Sequence, residues 1–215
     1  ITENNFTIKR VEKKGNNKHA IISVHPRETI TAHYEQHAAD PRIAHEFTLK
    51  VDNYGNIEQK LSLVYGRDSG DPQQKKLQAT LTRNSFINNA EPDSFYLCGV
   101  PKEIETFEIS GLAKPQDDYL QFDAVKTHAE SALSAIISYD ESLTSCAQAR
   151  RLSHQKYVYW NDAQNSVSTF GETTARALLH HVETAVMPVS LKDSVYNADI
   201  TASDIENAGY FTAEN

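Results

Sequence analysis

The sequence is short of the residues that build the commonest sites. Two cysteines, Cys98 and Cys146, stand far apart. They make neither a disulfide framework nor a zinc-binding spacing, and they read as free thiols. No run approaches the 18 or so apolar residues of a membrane helix, so no membrane span is expected. No leader peptide is visible. Glycine is scarce, with eight in 215 residues. None sits in a phosphate-cradling loop or in a Gly-x-Ser-x-Gly nucleophile elbow. Positive charge is in deficit too: 21 basic residues against 29 acidic give a net charge of −8. A phosphate backbone would be repelled, which argues against nucleic acid as a partner. The densest basic group is Lys9, Arg10, Lys13, Lys14 and Lys18. It flanks a turn at Gly15 and reads as a solvated hairpin tip.

What is present is alternation. Apolar residues make up 39% of the chain, and a folded chain of this length buries roughly 70% of its unfolded surface, so a substantial core is available. Ile43, His45, Phe47, Leu49 and Val51 fall on one side of a period-two pattern. Ile57, Gln59, Leu61, Leu63 and Tyr65 repeat it. Side chains on a strand alternate faces, so each run predicts a strand with one buried face. Between the runs stand Asp52, Asn53, Tyr54, Gly55 and Asn56, of which Gly and Asn supply the positive φ angles of a tight reversal. The pair is a β-hairpin, and Asp52, Asn53, Gly55 and Asn56 are its structural turn.

An earlier hairpin is expected from Phe6, Ile8 and Val11 through Gly15 to residues 19–24, with Pro26 interrupting and residues 29–35 forming another strand. Residues 77–87 read as extended, although 73–81 can also start as a helix. Residues 88–101 read as loop, and 103–109 as a strand. Residues 117–138 carry Ala124, Val125, Ala129, Ala132, Leu133, Ile136 and Ile137 and form the main helical candidate. Residues 150–160 read as a long strand rich in aromatic and β-branched residues. Residues 203–208 read as a short helix capped by Ser203 and closed by Gly209. The expected class is mainly β, with antiparallel hairpins forming part of a curved β-shell and one or two helices. The division expected is a hairpin-rich segment over 1–115 and a second β-rich segment over 116–215. Beginning at Ile1 and ending on Glu214 and Asn215, the chain reads as a piece of a longer polypeptide.

Candidate chemistry is thin. His33 and His37 would share one face of a helix and could grip zinc, but Tyr34 stands where the metalloprotease pattern needs Glu. On a strand the two rings would lie about 13 Å apart. His181 and Glu183 would face the same way on a strand beside His180, yet no third ligand can be named. The turn at Asp52 lacks the alternating acids of a calcium loop. Tyr157, Tyr159 and Trp160 would suit a sugar or a host surface if they formed an exposed platform. No catalytic, metal or cofactor site is therefore assigned, and the chain is read as no enzyme.

Three stretches carry a resemblance: His25-Pro26-Arg27-Glu28 with His33-Tyr34-Glu35; Ala39-Asp40-Pro41-Arg42-Ile43-Ala44-His45-Glu46; and Leu49-Lys50-Val51-Asp52-Asn53-Tyr54-Gly55-Asn56. Tyr65-Gly66-Arg67, Thr80 to Phe86, Glu105 to Gly111, Ala149 to Leu152 and Gly209-Tyr210 follow in order. This series resembles the middle region of the B component of bacterial insecticidal toxin complexes. The resemblance implies a secreted protein whose B and C components build a hollow shell of β-strips, related to rearrangement-hotspot repeats. That shell encloses a cytotoxic segment until the A component delivers it. It implies as partners other shell segments of the same chain, the toxin C component and, through the complex, the A component. His37 departs from the family pattern, and residues 117–138 carry no landmark of it.

Overall fold

Hairpin follows hairpin along the first half of the chain, and the strands add to one sheet in the order they are made. The computed structural model describes residues 1–36, 39–90, 95–115, 119–196 and 199–210. Among these, strands β1 (Thr2–Glu12), β2 (Ile21–His33), β3 (Arg42–Val51), β4 (Ile57–Val64), β5 (Gln78–Asn89) and β6 (Leu97–Ile109) form an antiparallel meander. Helix α1 (Phe122–Leu133) then crosses the sheet, and β7 (Ile136–Ile137), β8 (Ala149–Tyr159) and β9 (Leu179–Thr184) complete it. β8 lies beside β6, and its outer side is shared. β7 pairs in parallel with Ala149 and Arg150, while β9 pairs antiparallel from Gln155 to Tyr159. Helices α2 (Val189–Tyr196) and α3 (Ala202–Asn207) follow. The sheet does not close: β1 ends it on one side, β7 and β9 on the other. The class is thus mainly β and antiparallel, with three short helices.

The core is a set of rows across the strands. Phe47 on β3 faces Leu61 on β4, which faces Leu81 on β5, which faces Phe107 on β6. All four are fully buried. A neighbouring row holds His45, Leu63 and Ala79. α1 covers this face with Val125, Ala129 and Ala132, spaced to share one helix stripe and fully buried. Phe122 at the start of α1 sets its ring 6.3 Å from that of Phe47. Aligned large side chains of this kind bind one strand to the next more firmly than backbone pairing alone.

Several elements differ from the sequence reading. β2 runs unbroken through Pro26, because at that point it pairs only with β1. Its pairing with β3 begins at Glu28, so the missing N–H of Pro26 costs no bond on that side. A bulge at Arg27, which has no partner between Asn5 and Phe6 of β1, absorbs the irregularity. Among the described residues of 117–138 only Phe122–Leu133 is helical, and Asp117 and Asp118 lie outside the described residues. Ile136 and Ile137 leave the helix for β7, as β-branched residues favour a pleated surface. Residues 97–101, read as loop, belong to β6, and 73–76 form a turn rather than a helix. α3 is capped by Thr201 rather than Ser203: its side chain accepts from Asp204 N–H, and the Asp204 carboxylate accepts from Thr201 N–H.

Candidate functional site

The Asp52 carboxylate, just after β3, gathers four hydrogen bonds in the hairpin region. Its Oδ1 accepts from the backbone N–H of Tyr54 at 2.9 Å and of Asn56 at 2.8 Å. Its Oδ2 accepts from the side-chain amides of Asn56 at 2.9 Å and of Asn88, on β5, at 3.0 Å. Burial works to raise its pKa. The donors on Asn56, Tyr54 and Asn88 outweigh that and hold it below the ordinary carboxylate value. The reversal is closed by Asp52 N–H on Asn56 O at 2.9 Å, with Gly55 at φ +93° and Asn53 exposed at the tip. No atom lies within 4 Å of where a Gly55 Cβ would stand, so only the backbone conformation constrains that position. Gly99 on β6 is different. Its φ is +75°, a Cβ there would meet Asn56 Oδ1 at 2.7 Å, and its N–H donates to Asn88 Oδ1 at 2.8 Å. Four residues from three separate segments therefore meet at one turn. Asn88 and Gly99 carry no local sequence signal for this, and they fall where the sequence reads as loop.

β3 and β4 also carry an unusual register. Leu49 is one residue too many on β3, and Glu58 is one too many on β4, so Val51 regains its place opposite Ile57. The paired bulges let Leu49 stay buried while the turn keeps its alignment.

Charged side chains are drawn into the sheet where partners meet them. Glu105 on β6 is 4% exposed. It accepts from Arg83 Nε on β5 at 2.7 Å and from Arg151 on β8 at 3.0 Å. Both guanidinium groups lie near the face of Phe107. Asp40, before β3, takes the Ser69 hydroxyl, the N–H groups of Asp68 and Ser69, and Arg67 Nε. The Ser69 hydroxyl is the largest influence holding its pKa down to about 2.

The histidines singled out by sequence are dispersed. His33 is exposed at the end of β2, and His37 lies outside the described residues. His180 and His181 on β9 approach through their Nδ1 atoms at 2.5 Å, and His181 Nε2 lies 3.4 Å from Glu183. Among the described residues no group of three or more His, Cys, Asp or Glu is placed to hold a metal. Tyr157, Tyr159 and Trp160 do not form one open platform. Tyr159 is buried and donates to Pro101 O at 2.6 Å, while half-buried Trp160 packs edge-on against His180. Cys98 is half-buried and Cys146 exposed, both as free thiols. No helix among the described residues is long and apolar enough to cross a membrane.

The large open surface is the arm made by β1 and β2. Beyond Glu28 it has no β3 beside it. Ile8 faces Val24, Phe6 faces Pro26 and Arg10 faces Ile22, which puts five apolar residues on one side. Thr7, Lys9, Ser23 and His25 occupy the other. On the apolar side Ile8 is 70% exposed and Val24 57%. Single exposed apolar residues are ordinary, but a contiguous patch on a two-stranded arm is not.

Residues 1–93 match the family model described as insecticide toxin TcdB middle/C-terminal region. No curated protein is significantly similar. Among solved structures, the chain matches a crystal structure of TcdB2-TccC3-Cdc42 with a TM-score of 0.72 and 20% identity, over 96% of this chain and 10% of that one. It matches a crystal structure of TcdB2-TccC3 with a TM-score of 0.69 at 20% identity, with the same coverage. It also matches the Tc holotoxin pore of Photorhabdus luminescens, with a TM-score of 0.69 and 18% identity, again over 96% and 10%. At these identities the structures establish a shared fold, and the chain spans about a tenth of the solved chains it matches. The chain is thus similar in sequence to the insecticide toxin TcdB middle/C-terminal region over residues 1–93, and it shares a fold with these solved structures over 96% of its length.

Proposed function

We propose that this chain is a structural segment of a toxin-complex B component and helps to form a hollow β-shell around a cytotoxic cargo, without catalysis of its own. In this reading residues 1–115 are the hairpin-rich part of a strip and 116–215 its continuation. The turn of Asp52, Asn53, Gly55 and Asn56 sets the register. Neighbouring shell segments of the same polypeptide lie against it. A C component completes the shell, an A component receives it, and the assembly is secreted. The observation that carries the reading is the open sheet with its amphipathic β1–β2 arm. An apolar face with this exposure marks a surface that a neighbouring element covers. The fold shared with TcdB2-TccC3 supports the same role.

The test is co-expression of the full-length polypeptide carrying this chain with a C component, followed by size-exclusion chromatography and limited proteolysis. The expected result is one co-eluting complex in which the C-component cargo resists protease. Separate elution, or a cargo digested as fast as in isolation, contradicts the proposal.

A further inference from the structure

His45 is an unusual occupant of a sheet core. It is 1% exposed, on the central strand β3, opposite Ile30 on β2 and Leu63 on β4. Its ring lies 3.8 Å from that of Phe47. Its Nδ1 is 3.2 Å from the hydroxyl of Tyr65, and that hydroxyl accepts the backbone N–H of Leu120 at 2.9 Å. Leu120 immediately precedes the N-terminal end of α1. The chain His45–Tyr65–Leu120 therefore ties the strand to the start of the helix through two hydrogen bonds. Titratable groups facing the ring are Glu28 from β2, Tyr65 after β4 and Tyr119 before α1. Glu28 Oε2 is 3.5 Å from His45 Nε2, while its Oε1 accepts from Asn5 of β1. On the helix side Asp123 of α1 lies 3.7 Å from Arg27 of β2, and Arg27 also lies over the Phe122 ring.

We propose that His45, Tyr65 and Leu120 form an acid-sensitive latch that fixes the start of α1 against the sheet and loosens when His45 takes up a proton. In the neutral ring Nδ1 accepts the Tyr65 hydrogen, and Nε2–H lies 3.5 Å from Glu28 Oε2 without a hydrogen bond to it. A second proton must sit on Nδ1, which reverses that bond. The Tyr65 oxygen then accepts from both His45 and Leu120, and its own hydrogen must turn elsewhere. The charge also enters a site walled by Phe47, Leu63 and Ile30. Burial depresses the pKa of His45 below its ordinary value and outweighs the opposing pull of Glu28. With the folded value lowered, the unfolded or loosened state binds the extra proton more readily. Stability from this site is thus full above about pH 6.5 and is lost as pH falls through the folded value. Loosening begins at Leu120 and uncovers the face of the sheet beneath Phe122.

Hydrogen exchange, corrected for intrinsic rates, tests this on the chain as it stands. Protection of amides 120–125 is expected to fall about tenfold between about pH 7.5 and about pH 5, while the β4–β5 amides hold. In His45→Gln that pH dependence should vanish. In Tyr65→Phe protection of the same amides should be low at both pH values. Unchanged protection in the parent, or the same pH dependence in His45→Gln, overturns the latch. Should that variant not fold, NMR titration of the parent decides. The Leu120 amide shift moving with the His45 ring, at a midpoint below about 6.5, supports it. A Leu120 amide indifferent to His45 overturns it.

Discussion

Asp52 and Asn88 are 36 residues apart in sequence, yet the carboxylate of one accepts the side-chain amide of the other at 3.0 Å. The contact fastens the β3–β4 turn to β5, and through Asn88 to Gly99 of β6. A local turn is thereby made part of the sheet's long-range register. Replacing Asn88 with Ala leaves one carboxylate lone pair and one Gly99 N–H without their partner. The expected loss is about 1–3 kcal/mol. Combined with Asp52→Ala, the two losses should fall short of additive by about 0.5 kcal/mol or more, measured by urea unfolding. Additive losses would show that the turn and β5 are independent.

Gly55 tests the turn from its other side. With φ at +93° and open space around it, substitution there acts through the backbone alone. Gly55→Val should cost on the order of 1–3 kcal/mol, and Gly55→Asn less, because Asn tolerates positive φ better. Thermal melting of both variants beside the parent checks the order. Equal melting contradicts the turn's role in fixing register.

The alternation over residues 43–65 was legible because strand period and burial coincide at Ile43, His45, Phe47 and Leu49 and again at Leu61, Leu63 and Tyr65. The same reading erred where tertiary partners decide. Pro26 does not interrupt β2, because only one neighbour pairs with it at that point. Ile136 and Ile137 continue a helical pattern on paper, but β8 offers them a strand partner. Residues 88–101 read as loop, whereas Gly99 serves a close approach to Asn56 inside β6. The linkage of Asp52 to Asn88 was invisible for the same reason: a hydrogen bond across β5 leaves no periodicity in the chain. The role of His45 was hidden too, since its place in the apolar alternation marks it as buried but names neither Tyr65 nor Leu120.

Acid should act on two hydrogen-bonded carboxylates in a second window, below that of His45. Asp40, held down to about 2, and Asp52, also depressed, lose their stabilising effect only once protonated. A depressed folded value means stability is full above about pH 4 and falls as pH drops toward the folded value. The urea midpoint should therefore decline between about pH 4 and about pH 2, and Asp40→Asn should flatten the slope. An unchanged slope in that variant contradicts the assignment.

Core and arm should respond oppositely to substitution. Leu81→Ala, in the buried row between Leu61 and Phe107, should cost about 2–5 kcal/mol in the isolated chain. Ile8→Lys and Val24→Lys, on the exposed arm, should stay within about 0.5 kcal/mol of the parent. In the full-length polypeptide the arm variants should impair assembly with the C component, read by size-exclusion chromatography. Normal assembly would show that the apolar side of the arm is not a joining surface.

In the proposed assembly this sheet is one strip of a larger shell, with the β1–β2 arm covered by its neighbours. Hydrogen exchange over residues 6–24 compares the isolated chain with the full-length polypeptide in its complex. Rapid exchange is expected at the outer positions of the isolated arm and strong protection in the complex, while β4 and β5 stay protected in both. Equal, rapid exchange of the arm in the two states would contradict it.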